Sequence, residues 1–157
     1  MAITGKLSTI DVGPLGAGQP EIVEIGEATS QTHGLGWPLK VNASGYLQAC
    51  ATNDTAFYGF AAQAGQNVAA NGAKNARCFK IRVGQVYEGT LSVASWAQSL
   101  VGSHVGFQSS ASTAYIDTAN GTAKFVIRGL AGDKFAAGDN KPRIFFTVMA
   151  ANIQDAI

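Results

Sequence analysis

VGQVYEGTLSV, residues 83–93, is the stretch on which the fold turns. A two-residue alternation runs through it. Tyr87, Gly89, Leu91 and Val93 point to one face, and Val86, Glu88, Thr90 and Ser92 to the other. That period belongs to a β-strand with one face on a core. Gly84 separates it from CFKIRV, residues 78–83, which reads as a second strand. Glu88 is the single acid deep in a strong strand pattern. It is either a catalytic acid set into a sheet or a solvated or structurally paired side chain. Its face neighbours Thr90 and Ser92, with basic residues available on adjacent strands, favour the second reading.

Outward from this pair the same pattern recurs in short pieces. EIVEIGE, 21–27, alternates imperfectly and reads as the first strand. SQTHGLGWPLKV, 30–41, is loop leading into a strand that ends at Val41. A turn at Ser44-Gly45 then opens a strand running to Cys50. TAFYGFA, 55–61, is a dense aromatic strand in which Gly59 marks a bulge or a close backbone approach. AAQAGQNVAANGAKNAR, 61–77, has alanine enough for a helix, but Gly65, Asn67, Asn71-Gly72 and Asn75 break it, so a long loop is expected. Residues 95–103 predict a short helical turn carrying Trp96 and Leu100 inward. Strands follow at 104–108 and 113–117.

Asn120-Gly121 signals a hairpin turn. The returning strand, 122–128, places Ala123, Phe125 and Ile127 on one face and Lys124 and Arg128 on the other. Residues 129–142 are loop. RIFFTVMA, 143–150, is apolar on both faces, which suits a central strand or one side of a subunit contact. Nine or ten short strands with glycine-rich turns predict an all-β, single-domain barrel or sandwich over residues 21–157. Residues 1–20, with Pro14, Pro20 and four glycines, read as an extended N-terminal arm. No internal repeat is evident.

The composition narrows the function classes. The chain has 157 residues, 19 of them glycine, and only 13% are charged, roughly half the usual globular share. Its surface must be covered by small polar residues, as in an assembled protein whose outside is partly occupied by partners. The net charge of +1, with no run of Lys or Arg, leaves no field to attract nucleic acid. No segment approaches the length of a membrane span, and the first residues lack a signal-like apolar stretch, so synthesis in a cytoplasm is the expectation. Cys50 and Cys78 lie in strand-like contexts and are expected as buried thiols.

Recognisable chemistry is sparse. A glycosidase needs two facing carboxylates, and only Glu88 and Asp117 sit where a small hydrolase could use them. A zinc site would have to gather His33, His104, Cys50 and Cys78 from distant segments, since no two stand at metal-motif spacing. No serine has a nucleophile-elbow context, and no phosphate-binding glycine loop occurs. Trp37 and Tyr58 are the candidates for a glycan-stacking platform, with core filling the plainer reading. No catalytic, cofactor-binding or metal residue is therefore assigned, and no cofactor is expected.

Two segments carry a resemblance. DTAFYGFAAQAGQN, 54–67, and FKIRVGQVYEGTLSV, 79–93, are similar to passages of the small cement, or head-decoration, proteins of tailed bacteriophages. The first pairs an aromatic strand with an alanine- and glycine-rich connection; the second is a strand–glycine–strand passage with an acid just after an aromatic. The resemblance spans about residues 20–150. It implies a β-barrel or β-tulip-like form and a non-enzymatic structural role on the outer capsid surface of the virion. It also implies homotrimers that bridge major capsid protein subunits. The surfaces it points to are the 1–20 arm, the 62–76 loop and the 143–149 strand. A glycan-binding or host-attachment module on a virion surface is the alternative.

Overall fold

A computed structural model describes residues 21–92, 95–110, 113–119, 122, 124–131 and 141–154. The expected N-terminal arm, the Asn120-Gly121 turn, residues 132–140 of the next loop, and Val93 and Ala123 lie outside them. The described chain is all-β, as the alternation predicts. Its strands are β1 (Ile22–Gly26), β2 (Pro38–Val41), β3 (Leu47–Ala49), β4 (Gly59–Ala61), β5 (Asn75–Lys80), β6 (Val86–Thr90), β7 (His104–Ser110), β8 (Thr113–Asp117), β9 (Phe125–Leu130) and β10 (Arg143–Val148). Single turns of 3-10 helix at Gln98–Leu100 and Ala150–Asn152 are the only helical elements described. Trp96 and Leu100 pack against the core from the first of them.

The strands form two five-stranded antiparallel sheets, ordered β1-β5-β4-β2-β3 and β6-β10-β9-β7-β8. In each, the two outer strands meet again at one parallel bridge, Glu27 with Leu47 in the first and Leu91 with Ile116 in the second. Both sheets therefore curl until their edges touch, which limits the open edge each offers. The two orders are also the same order shifted by five strands. A sequence without an evident repeat thus folds into two sheets of identical topology.

β10, apolar on both faces, lies inside its sheet between β6 and β9. Ile144 and Phe146 are fully buried. Two boundaries move from the sequence reading. β5 begins at Asn75 rather than Cys78, because Asn75 and Arg77 are exposed outward partners of Gly26 and Glu24 while Ala76 and Cys78 turn inward. The expected 61–77 loop shortens accordingly. β4 is only three residues long, and Phe57, ahead of it, forms an isolated bridge with Ile153 instead of extending the strand.

One contiguous hydrophobic core draws on both sheets. Its centre is aromatic. Phe60 of β4 stands edge-on to Tyr87 at 4.9 Å and to Phe146 at 5.9 Å, and Phe57 lies 5.5 Å from Phe125. Burying a Phe fully contributes roughly 1.5–3 kcal/mol, so these rings hold the two sheets together. Gly59, beside Phe60, is required by close approach: a Cβ there would lie 2.7 Å from the Phe79 carbonyl oxygen and 2.8 Å from Cys78 Sγ.

Candidate functional site

Glu88 sits mid-strand in β6, on the face opposite Tyr87, and pairs in register with Phe145. Its carboxylate forms a salt bridge with Arg143, one strand away on β10. Both side chains are largely shielded, at 19% and 14% exposure. The pair neutralises itself within the sheet, which is the structurally paired reading of Glu88. Asp117, at the end of β8, accepts a hydrogen bond from Ser92 Oγ at 3.1 Å and another from the Ala119 backbone N–H at 3.0 Å. It acts there as a turn-stabilising acid.

The four candidate zinc ligands are not brought together. No group of three His, Cys, Asp or Glu side chains able to hold a metal occurs among the described residues. His104 is exposed at the start of β7. Cys50 and Cys78 are free, buried thiols, as expected. Burial pushes the Cys78 thiol up to about 12 and raises Cys50 as well, so neither is a nucleophile at neutral pH. Trp37 and Tyr58 are both buried, with Trp37 Nε1 donating to the Cys50 carbonyl at 3.2 Å. They fill the core and present no open ring face for a glycan to stack on. Asn42 of the Asn-Ala-Ser triplet spends its side-chain oxygen on the Ser44 and Tyr46 backbone N–H groups.

Two buried polar clusters have no clear signal in the sequence. The first joins residues 27–33 to the 62–74 connection. Glu27 is fully buried, and its carboxylate accepts from the Gln66 backbone N–H at 2.8 Å and from Gln66 Nε2 at 3.2 Å. Gly65 N–H donates to the His33 carbonyl, and Asn67 N–H to the Gln31 carbonyl. The connection is so tightly seated that a Cβ on Gly65 would lie 2.5 Å from Gln31 O. His33 is buried beside it with no hydrogen-bond partner on either ring nitrogen. Burial lowers its pKa, with Glu27 and the Gln63 backbone pulling the other way.

The second cluster centres on Lys124, which the alternation places on a polar face with Arg128. It precedes β9 and turns inward instead. Its ammonium donates to the Thr52 carbonyl and lies over the rings of Phe107, at 4.8 Å, and Phe57, at 5.5 Å. Burial lowers its pKa. Lys124 therefore ties the 51–56 loop of the first sheet to the second through charge and π faces. A lone lysine before an aromatic strand carries no pattern that distinguishes it from a solvated one. Both clusters fasten loops to sheets. Comparison with known protein families, with curated proteins and with solved structures finds no match to this chain.

Proposed function

We propose that this protein is a structural virion component that decorates the outer face of an icosahedral tailed-phage head and bridges neighbouring major capsid subunits. The observation that carries the reading is the use of the 79–93 passage. The segment that resembles cement proteins runs from the end of β5 through β6, placing Tyr87 at the centre of the shared core. Its one acid is committed to Arg143. A chain whose acids serve its own sheets works through surfaces, and its low charge makes attachment weakly dependent on salt. The bridged partner is the major capsid protein, and the assembling unit is a homotrimer. Several modest contacts per trimer then add up through effective concentration.

Incubation of the purified protein with undecorated heads, followed by sedimentation, tests the reading. Saturable pelleting at a fixed ratio to shell subunits is the expected outcome. Protein that stays in the supernatant at every concentration contradicts it.

A further inference from the structure

We infer that the chain is a tandem duplication: two copies of one five-stranded unit, residues 22–80 and 86–148, joined through the turn at Gly84 and packed front to back. The shared strand order is only the first sign. Registers match as well. Gly26 pairs with Asn75, and Thr90, 64 residues on, pairs with Arg143, 68 residues on from Asn75. The same two offsets carry all five β1–β5 pairs onto the five β6–β10 pairs. Moving β4 and β2 on by 66 residues carries Ala61↔Cys78 onto Ile127↔Phe146 and Leu39↔Gly59 onto Val105↔Phe125. Val41↔Leu47 maps onto Phe107↔Ile116, and of all the first sheet's pairs only Leu39↔Ala49 lacks a counterpart.

Connection rules allow unrelated sheets to share an order, but they do not dictate what happens between the strands. Here the loops match too. With those offsets, Glu27 N–H to Lys74 O becomes Leu91 N–H to Pro142 O, and Ala28 N–H to Leu47 O becomes Ser92 N–H to Ile116 O. Gly36 N–H to Ala61 O becomes Gly102 N–H to Ile127 O, and Ala61 N–H to Trp37 O becomes Ile127 N–H to Ser103 O. Tyr58 N–H to Leu39 O becomes Lys124 N–H to Val105 O, and Ile81 N–H to Tyr58 O becomes Met149 N–H to Lys124 O. The closing bridges Glu27↔Leu47 and Leu91↔Ile116 also superpose. Gly36 and Gly102 hold the same left-handed turn position, at φ 73° and 84°.

The copies meet through unlike surfaces. Ala61, Cys78 and Leu39 define the front of the first sheet, and their counterparts Ile127, Phe146 and Val105 the front of the second. Phe60 points from the back of the first sheet, yet its aromatic neighbours Tyr87, Phe125 and Phe146 all belong to the front of the second. Back meets front, which is a head-to-tail interface between copies of one unit. The turn at Val83-Gly84 is then a boundary between units rather than a loop within one.

Two permuted chains test this, each keeping every residue and joining residue 157 to residue 1 by the same glycine-serine linker. One opens at Val83-Gly84, the other at Ser44-Gly45. The two turns are matched: Gly84 and Gly45 both have positive φ and open space around a notional Cβ. The chain opened at Gly84 is expected to melt within about 5 °C of the parent, and the one opened at Gly45 well below it. A Gly84 chain that melts no higher than the Gly45 chain overturns the inference. A second measurement avoids the linker: a protease site inserted between Val83 and Gly84 is cut in the folded, native-order protein. The halves are expected to elute together, with a melting point that now rises with protein concentration. Halves that separate on cleavage also overturn the inference.

Discussion

Phe60 meets Tyr87 at 4.9 Å between ring centroids and 65° between planes, from opposite sides of the join between the two sheets. The contact links a residue on the back of β4 to one on the front of β6. Phe60→Ala removes a fully buried ring that also touches Phe146, and the rigid aromatic surroundings limit collapse of the space left behind. The expected loss is about 3–5 kcal/mol, read as a lower urea midpoint. A change under about 1 kcal/mol would mean that the sheets are held together elsewhere.

Glu24 and Glu88 occupy equivalent positions in the two sheets, and each pairs with an arginine, but their surroundings differ. Glu24 and Arg77 are more than half exposed at 3.3 Å, whereas Glu88 and Arg143 are shielded. Glu24→Gln should therefore change stability by less than about 0.5 kcal/mol. Glu88→Gln leaves Arg143 short of its counter-charge and should cost about 1–3 kcal/mol. Paired denaturant titrations check the contrast. Equal effects would remove the distinction between the two environments.

His33 supplies a pH dependence whose sign follows from burial. Its folded pKa is lowered from 6.5, so in the window below 6.5 the unfolded chain binds the proton more readily. The stability it contributes is complete above that value and is lost as pH falls toward the folded pKa. His33→Leu should flatten the fall in melting temperature between neutral pH and about pH 5, while leaving the protein at least as stable at pH 7.5. An unchanged slope would mean that other groups carry the acid sensitivity.

Cys50 and Cys78 should resist thiol reagents in the folded protein. Both are buried with raised pKa, so the thiolate that reacts is scarce as well as covered. Negligible labelling at pH 8 in buffer, rising to two thiols per chain in denaturant, is the expected outcome. Rapid labelling without denaturant would show that the core around β3 or β5 opens easily.

Leu35 and Val101 are exposed aliphatic side chains standing ahead of the equivalent glycines Gly36 and Gly102. If the protein attaches to an array of identical subunits, a contact made by one turn has a twin. Leu35→Ser and Val101→Ser should each weaken binding to undecorated heads, and the double variant should weaken it further, with melting temperatures unchanged. Full binding by the double variant would place the attachment on other surfaces.

Much of the fold was legible in the alternation of short segments. The strand around Glu88, the central position of the 143–150 segment, the turn at Gly45 and the inward Trp96 and Leu100 all follow from period and turn chemistry. The paired state of Glu88 followed from its face neighbours. The repeat was hidden because equivalent interior positions exchanged size: Gly59 answers to Phe125, Cys78 to Phe146 and Ala76 to Ile144. Among the equivalent strand positions only Glu24 and Glu88 are identical. Registers and turn hydrogen bonds preserve what side chains do not. Lys124 and the Glu27–Gln66 contact escaped notice for another reason, since each depends on partners distant in sequence.

The central claim is attachment to a phage head, and a reconstruction of heads mixed with this protein tests it most directly. The account expects added density on the outer face of the shell, in trimers that each contact more than one major capsid subunit. Heads whose outer surface is unchanged at saturating protein would contradict it.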